Sequence, residues 1–316
     1  VAELPLLRRF PSLAKLPRAM LGTFPTPVER VALSRGGTLL VKRDDRSGTV
    51  IGGNKVRGLE WLLGDVTDRD HVLTVGPRGS SHALSTARCA RLRGARTTVA
   101  RWDQVMNPAA RRVDERLRAE AAVVDARWVG AAYAVSWALR LRGGVRWIPA
   151  GGVAPLGILG HVNAGLELAT QIESGECEKP EQVHVPFGTG GTAAGLALGF
   201  RIASLDVPVV AVRVVPRVLA GGRRLRALAD ATARLIERHT GERVPRLRAE
   251  DVSVEHRFYG GAYGRPLGDP PDEGGLGALG IRLDDTYSRK AFASAAARSR
   301  HRVLLWLTFD GRLLQD

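Results

Sequence analysis

Residues 183–199 read VHVPFGTGGTAAGLALG, an apolar run passing straight into a glycine loop and then into a helix of small residues. Glycines let a backbone turn tightly and bring several amide N–H groups close to one anion. The hydroxyls of Thr189 and Thr192 add donors, and a helix N-terminus adds a favourable dipole. Gly188, Thr189, Gly190, Gly191 and Thr192 are thus a candidate cradle for a single phosphate, such as a small cofactor carries. The spacing is neither a P-loop, which would end in GK[ST], nor the dinucleotide GxGxxG. Taken alone, it leaves open a strand-to-helix turn that holds nothing.

Working outward, the same strand, turn and helix pattern recurs. TLLVKRDD (38–45), HVLTVG (71–76), RTTVARW (96–102), AVVDA (122–126) and VPVVAVRVV (207–215) read as short strands, and RWIPAGG (146–152) as a strand and turn. Helical spacing fills 80–94, 108–122, 133–143 and 155–175. Such alternation predicts α/β units around parallel sheets. VKRDD (41–45), crowded with charge, is expected as an edge strand running into a charged turn, and 264–280 as a surface loop.

A second candidate lies at Gly52-Gly53-Asn54-Lys55. A lysine opening a helix sits where the positive end of the helix dipole disfavours its protonated form. That lowers the amine pKa, as an imine-forming lysine needs. Lysines occur only at 15, 42, 55, 179 and 290 in a chain that otherwise carries its positive charge as arginine. Arginine cannot do this chemistry, because guanidinium stays protonated. A surface lysine in a turn is the plain alternative. The third candidate is GPRGSSHALSTA (76–87), where Ser80 and Ser81 open a helix. They suit a substrate carboxylate, yet N-capping alone explains them.

Composition bounds the rest. A chain of 316 residues, 44% hydrophobic and 25% charged, is that of an ordinary soluble protein with room for two domains. The N-terminal residues lack a signal-peptide pattern and no apolar run reaches membrane-spanning length, so a cytoplasmic protein with no membrane partner is expected. Cys89 and Cys177 stand apart, which argues against a structural zinc. The net charge of +15 invites a nucleic-acid reading, but the arginines are spread and aromatics are only 5%. The densest basic stretch, 217–248, reads as an amphipathic helix with Leu225, Leu228, Ala229, Leu235 and Ile236 on one face. Nucleic acid is therefore not an expected partner.

The segments in their order resemble one family. LLVKRDD with GGNKVRGLEWLLGD, PAGGVAPLGILGHVNAGLELATQ, FGTGGTAAGLALG, GGAYGRP and IRLDDTYSRKA are similar to the pyridoxal-phosphate enzymes typified by D-cysteine desulfhydrase and 1-aminocyclopropane-1-carboxylate deaminase. The resemblance runs from about residue 22 to the C-terminus. It implies the tryptophan synthase β-like fold (fold type II), with two α/β domains of open, twisted, mainly parallel sheets. Residues 1–58 with 157–316 would form the large cofactor-binding domain and 59–156 the small one. Pyridoxal 5'-phosphate would lie in the cleft between them.

By the same resemblance, Lys55 would form the Schiff base and later carry the α-proton, while residues 188–192 would hold the phosphate. Asn54 would meet the phenolic oxygen, Ser81 stands where an asparagine touches the cofactor, and Thr308 would face the pyridine nitrogen. Ser80 would meet the substrate carboxylate, and Tyr263 and Tyr287 match two active-site tyrosines. Homodimers are the rule in the family. Two further departures stand out. Arg289 replaces a glycine, and Phe309 and Asp310 replace two more; a Phe is expected to be strained where only glycine conformations fit.

Ser288 follows Tyr287 where the deaminase branch has a carboxylate. A hydroxyl leaves the pyridine nitrogen largely unprotonated. The expected reaction is therefore α,β-elimination from a small amino acid, as in D-cysteine desulfhydrase. Ring opening of aminocyclopropanecarboxylate is the near alternative, and a degenerate binder of cofactor or metabolite the alternative of another class.

Overall fold

Short β-branched runs closed by glycine or polar residues become ten strands in two sheets among the described residues of this computed structural model, 3–34, 36–270, 272–298 and 302–315. One sheet holds β1 (Val28–Ala32), β2 (Thr38–Lys42), β7 (Gln182–Phe187), β8 (Val209–Arg213), β9 (Val252–Glu255) and β10 (Val303–Trp306). The other holds β3 (His71–Pro77), β4 (Arg96–Trp102), β5 (Ala122–Ala126) and β6 (Arg146–Ile148). The helices are α1 (Pro5–Arg9), α2 (Lys55–Leu62), α3 (Ser81–Leu92), α4 (Pro108–Glu120), α5 (Val129–Leu141), α6 (Pro155–Glu173), α7 (Gly191–Ile202), α8 (Gly222–Thr240) and α9 (Ser288–Ala296).

The strand orders are β1-β2-β10-β7-β8-β9 and β5-β4-β3-β6. Every pairing is parallel except the β1/β2 hairpin, in which Val28 opposes Lys42. The α/β class read from the sequence is what the molecule has. Helix α8 starts at Gly222 and stops at Gly241, in the left-handed region at φ 74°, so the basic stretch is helical over a shorter span than 217–248. Between 264 and 280 the described residues form no strand and no α-helix, although Leu276 is buried. No described helix is long and apolar enough to cross a membrane.

Two expectations fail at the centre of the six-stranded sheet. β10, which periodicity did not single out, lies between β2 and β7 and pairs in parallel with both. β2 is consequently not an edge strand, and Lys42, Arg43, Asp44 and Asp45 are all buried. Buried charge is tolerated only when paired and hydrogen-bonded. Here Lys42 Nζ donates to Glu167 Oε1 and to the Thr26 carbonyl, each at 2.6 Å. Arg57 on α2 reaches Asp44 at 2.7 Å and Glu167 on α6 at 2.9 Å, and Trp306 Nε1 donates to Asp44 at 2.8 Å. Burial pushes the Glu167 carboxyl up, but Arg57 and Lys42 outweigh it and hold it down at about 2.

This network pins α2 to α6 and to β2. The two helices also cross backbone to backbone, for a Cβ on Gly160 would stand 2.0 Å from the Arg57 carbonyl oxygen. Lys55, the first residue of α2, is thereby fixed in place by buried charge behind it and close helix contact beneath it.

Candidate active site

The turn that presents Lys55 is built from contacts with the far end of the chain. Gly53 has φ 98°, and a Cβ there would meet the Thr308 carbonyl oxygen at 2.7 Å, so only glycine fits. The same carbonyl accepts from the Asn54 N–H at 3.1 Å, and Gly52 N–H donates to Asp310 Oδ2 at 2.8 Å. Lys55 Nζ points to the Gly151 carbonyl at 3.4 Å. Burial lowers its pKa to about 8. The direction is the one expected from the sequence; the cause is desolvation, where the sequence argument invoked the helix dipole.

The glycine loop stands opposite. Gly190 caps α7 in the left-handed region at φ 95°, and the first N–H groups of α7 have no helical carbonyl to donate to. Asn54 Nδ2 donates to Thr192 Oγ1 at 2.6 Å, which ties the residue beside the lysine directly to the loop. A Cβ on Gly151 would strike Thr189 Oγ1 at 2.3 Å, so the turn carrying the Lys55 acceptor lies against the loop as well. Arg224, on α8, donates to the Thr189 carbonyl at 3.1 Å.

The tyrosines close one side. Tyr287 Cε1 is 3.7 Å from where a Cβ on Gly188 would stand. Its hydroxyl is hydrogen-bonded to that of Tyr263, with the rings edge to face at 78° and centroids 5.9 Å apart. Burial pushes both phenols above their ordinary range. Tyr287 is itself oriented from behind, because buried Asp284 accepts from the backbone N–H groups of Thr286, Tyr287 and Ser288.

Ser80 and Ser81 are at the mouth of α3. Ser80 is buried and caps the helix, accepting from Ala83 N–H at 3.3 Å, so the plain N-cap role is present. Ser81 is the first helical residue. Their neighbour His82 faces the lysine side: its Cε1 is 3.7 Å from where a Cβ on Gly152 would stand. Thr308 approaches the Lys55 turn through its backbone carbonyl. Lys55, Asn54, the 188–192 loop, Tyr263 and Tyr287 are thus brought together, with Ser80 and Ser81 one residue removed through His82.

Two buried imidazoles were not among the residues singled out. Burial, and then the Lys55 charge, lower the His82 pKa to about 3. His161 on α6 is likewise held well below its ordinary value by burial, Lys55 and Arg57, and its Nδ1 is buried without a hydrogen-bond partner. The available signal was weak. Of the seven histidines in the chain, only His161 falls within the segments that carry the family resemblance, and an isolated His on an apolar helix reads as core.

The substituted glycines need a different account from the one expected. Arg289 turns to Asp285 at 2.6 Å and Glu273 at 2.7 Å and does not enter the site. Neither Phe309 nor Asp310 is strained: Ser204 is the only described non-glycine residue at positive φ. Phe309 packs with Ile51, Val56 and Leu59 beneath the Lys55 turn. Asp310 holds Gly52 N–H and is gripped by Arg312 at 2.8 Å, which also donates to the Gly48 carbonyl at 2.8 Å and that of Thr49 at 3.1 Å. Asp310→Ala leaves the buried Gly52 donor unpaired, and a loss of about 1–3 kcal/mol is expected in denaturant unfolding.

Comparison with known proteins follows the same lines. A family model described as pyridoxal-phosphate dependent enzyme matches residues 19–264. Nocardicin C-9' epimerase of Nocardia uniformis subsp. tsuyamanensis is 35% identical, over 88% of this chain and 86% of its own. A Pyrococcus abyssi protein provisionally named 1-aminocyclopropane-1-carboxylate deaminase is 32% identical, over 89% of this chain and 86% of its own. D-cysteine desulfhydrase of Klebsiella pneumoniae subsp. pneumoniae is 30% identical, over 89% and 88%. Among solved structures, an ACC deaminase homologue superposes with a TM-score of 0.78 at 28% identity, covering 98% of this chain and 97% of that one.

Proposed function

Because this chain belongs to the family of pyridoxal-phosphate dependent enzymes, we propose that it eliminates the β-substituent of a small amino acid, in the manner of a D-cysteine desulfhydrase. Cysteine and water would give pyruvate, ammonia and sulfide. The observation that carries this reading is the Asn54–Thr192 bond of 2.6 Å, which ties the residue beside Lys55 to the glycine loop opening α7.

The residues fit the cofactor. The buried His161 Nδ1, which feels the Lys55 charge, has no hydrogen-bond partner within the protein, and the free N–H groups of α7 suit a phosphate. Gly188, Thr189, Gly190, Gly191 and Thr192 would hold the phosphate, Asn54, Ser81 and Thr308 would line the ring, and Lys55 would hold the aldehyde. When bound, the cofactor supplies the electron sink for a carbanion at Cα. Lys55, as a neutral amine, takes the α-proton and returns it. Ser80 orients the substrate carboxylate, and the Tyr263–Tyr287 pair places a proton donor beside the leaving group.

Elimination is favoured over ring opening because Ser288, rather than a carboxylate, follows Tyr287, and the nearby Asp284 is committed to three backbone N–H groups. A second reading, exchange of the α-proton without elimination, draws on the epimerase relative, since both reactions begin with the same proton abstraction. Residues 1–58 with 157–316 act as the cofactor-holding unit and 59–156 as the smaller partner, in a cytoplasmic homodimer.

Incubation with pyridoxal phosphate should give a visible absorbance band that shifts on adding amino acids. D- and L-cysteine, D-serine, chloroalanine and aminocyclopropanecarboxylate are then scored for pyruvate, oxobutyrate, ammonia and deuterium uptake at Cα. Pyruvate from cysteine or chloroalanine is the expected result. Oxobutyrate alone would move the assignment to ring opening, deuterium uptake alone to epimerisation. A band with no turnover or exchange leaves a degenerate binder, and no band at all sinks the enzyme reading.

The loading rate has its own pH dependence. Lys55 attacks the cofactor only as the neutral amine, so growth of the band should accelerate as pH rises through about 8, well below the ordinary lysine value of 10.5. Loading that accelerates only near that ordinary value would contradict the burial of this amine.

A further inference from the structure

We infer that Lys290 is a positioning residue for the Tyr263–Tyr287 pair. It lies on α9, one turn beyond Tyr287, with its side chain fully buried. Its ammonium donates to the Tyr259 carbonyl at 2.7 Å and approaches the Ala262 carbonyl at 3.5 Å. Between these two acceptors lie Gly260 and Gly261, both in the left-handed region at φ 72° and 85°. A glycine pair is the least constrained piece of backbone a chain can offer. Lys290 grips it on both sides, immediately before Tyr263.

The arrangement is a closed loop of contacts. From α9, Tyr287 meets the Tyr263 hydroxyl, and Lys290 meets the backbone that carries Tyr263. Tyr259 lies under the same cation, its ring centroid 5.6 Å from Lys290 Nζ, while Arg213 of β8 covers that ring at 3.9 Å. Asp284 and Asp285, in the turn before α9, act on the ammonium from a distance and oppose the lowering effect of burial and Arg213. From the other sheet, Asn107 donates to the Gly264 carbonyl at 2.8 Å and to Thr286 at 2.9 Å, bracketing both tyrosines from outside. A buried ammonium is costly unless it is hydrogen-bonded, and this one takes its partners from the two carbonyls flanking the glycine pair. What it fixes here is the distance between two phenols.

This role rests on the reading that the tyrosine pair faces the substrate, and the test separates the two. The chain has four tyrosines, so 3-fluorotyrosine labelling gives four resonances, assigned by Tyr→Phe variants. Lys290→Met should shift or broaden the resonances of Tyr263 and Tyr287 together, whether or not any substrate is turned over. In the cofactor-loaded enzyme the visible band should persist, kcat should fall by about 10-fold or more, and KM should hold within about 2-fold. On a Tyr263→Phe background the same substitution should have little further effect on kcat. Lys290→Gln, which keeps donors for the two carbonyls, should recover part of the loss, and Lys290→Ala replaces the Met variant throughout if that one fails to fold. Unmoved tyrosine resonances would overturn the role, as would losses that add independently. An inactive wild type with moved resonances would strike at the proposed reaction and leave the positioning intact.

Discussion

Lys55→Arg should keep the fold and the charge and yet abolish both the visible cofactor band and turnover, a loss of about 10⁴-fold or more. The fold survives because α2 is held by Arg57, Val56 and Gly58, not by its first residue. Arg57 is bound to Asp44 and Glu167, and Val56 is buried in the core beneath. Lys55 Nζ itself makes a single long contact, at 3.4 Å to the Gly151 carbonyl, so its replacement removes little packing. Chemistry is lost because a guanidinium stays protonated and cannot attack an aldehyde. Absorbance titration with pyridoxal phosphate and a melting curve check the two halves separately. A band of wild-type intensity in this variant would remove Lys55 from its role.

Glu167→Gln should be among the most destabilising single substitutions in the chain. Removing one partner of a buried ion cluster strands the others, at about 3–5 kcal/mol. Lys42 and Arg57 would each lose a charged acceptor that they now hold at 2.6 and 2.9 Å. Tm should drop by on the order of 10 °C for a chain of this size. The acid limb carries a second signature. The folded-state pKa of Glu167, about 2, is below its ordinary value of 4.5, so its stabilising contribution is full above that ordinary value. It is lost as pH falls from about 4.5 toward about 2. Wild-type stability should decline over that window, and the Gln variant should lack this component of the decline. Equal slopes would show that the cluster is not coupled as the distances imply.

The class of the fold and the meeting of several candidate site residues were readable in the sequence, for a physical reason. Strand runs, glycine loops and helix starts are local signals, and the cradle at 188–192 and the Lys55 turn are made of them. Ser80 as an N-cap was likewise legible within a few residues. The failures are all at long range. Four charges in a row at 42–45 look like surface until Glu167, 125 residues from Lys42, is brought beneath them. Phe309 and Asp310 look like damage to a glycine motif until Gly52, 258 residues from Asp310, is found at the other end of a hydrogen bond. Strand β10 is four residues of plain apolar sequence whose central place depends on β2 and β7. His161, alone on an apolar helix, carried only a weak signal.

The position of that strand has a consequence for how the molecule is made. A ribosome delivers the glycine loop and the lysine long before it delivers Val303–Trp306, and until those four residues insert, β2 and β7 have no neighbour between them. The carbonyl of Thr308 and the carboxylate of Asp310, which shape the Lys55 turn, arrive later still. The Lys55 turn therefore takes its final shape only once residues up to 258 positions downstream have been made and have found their places beside it.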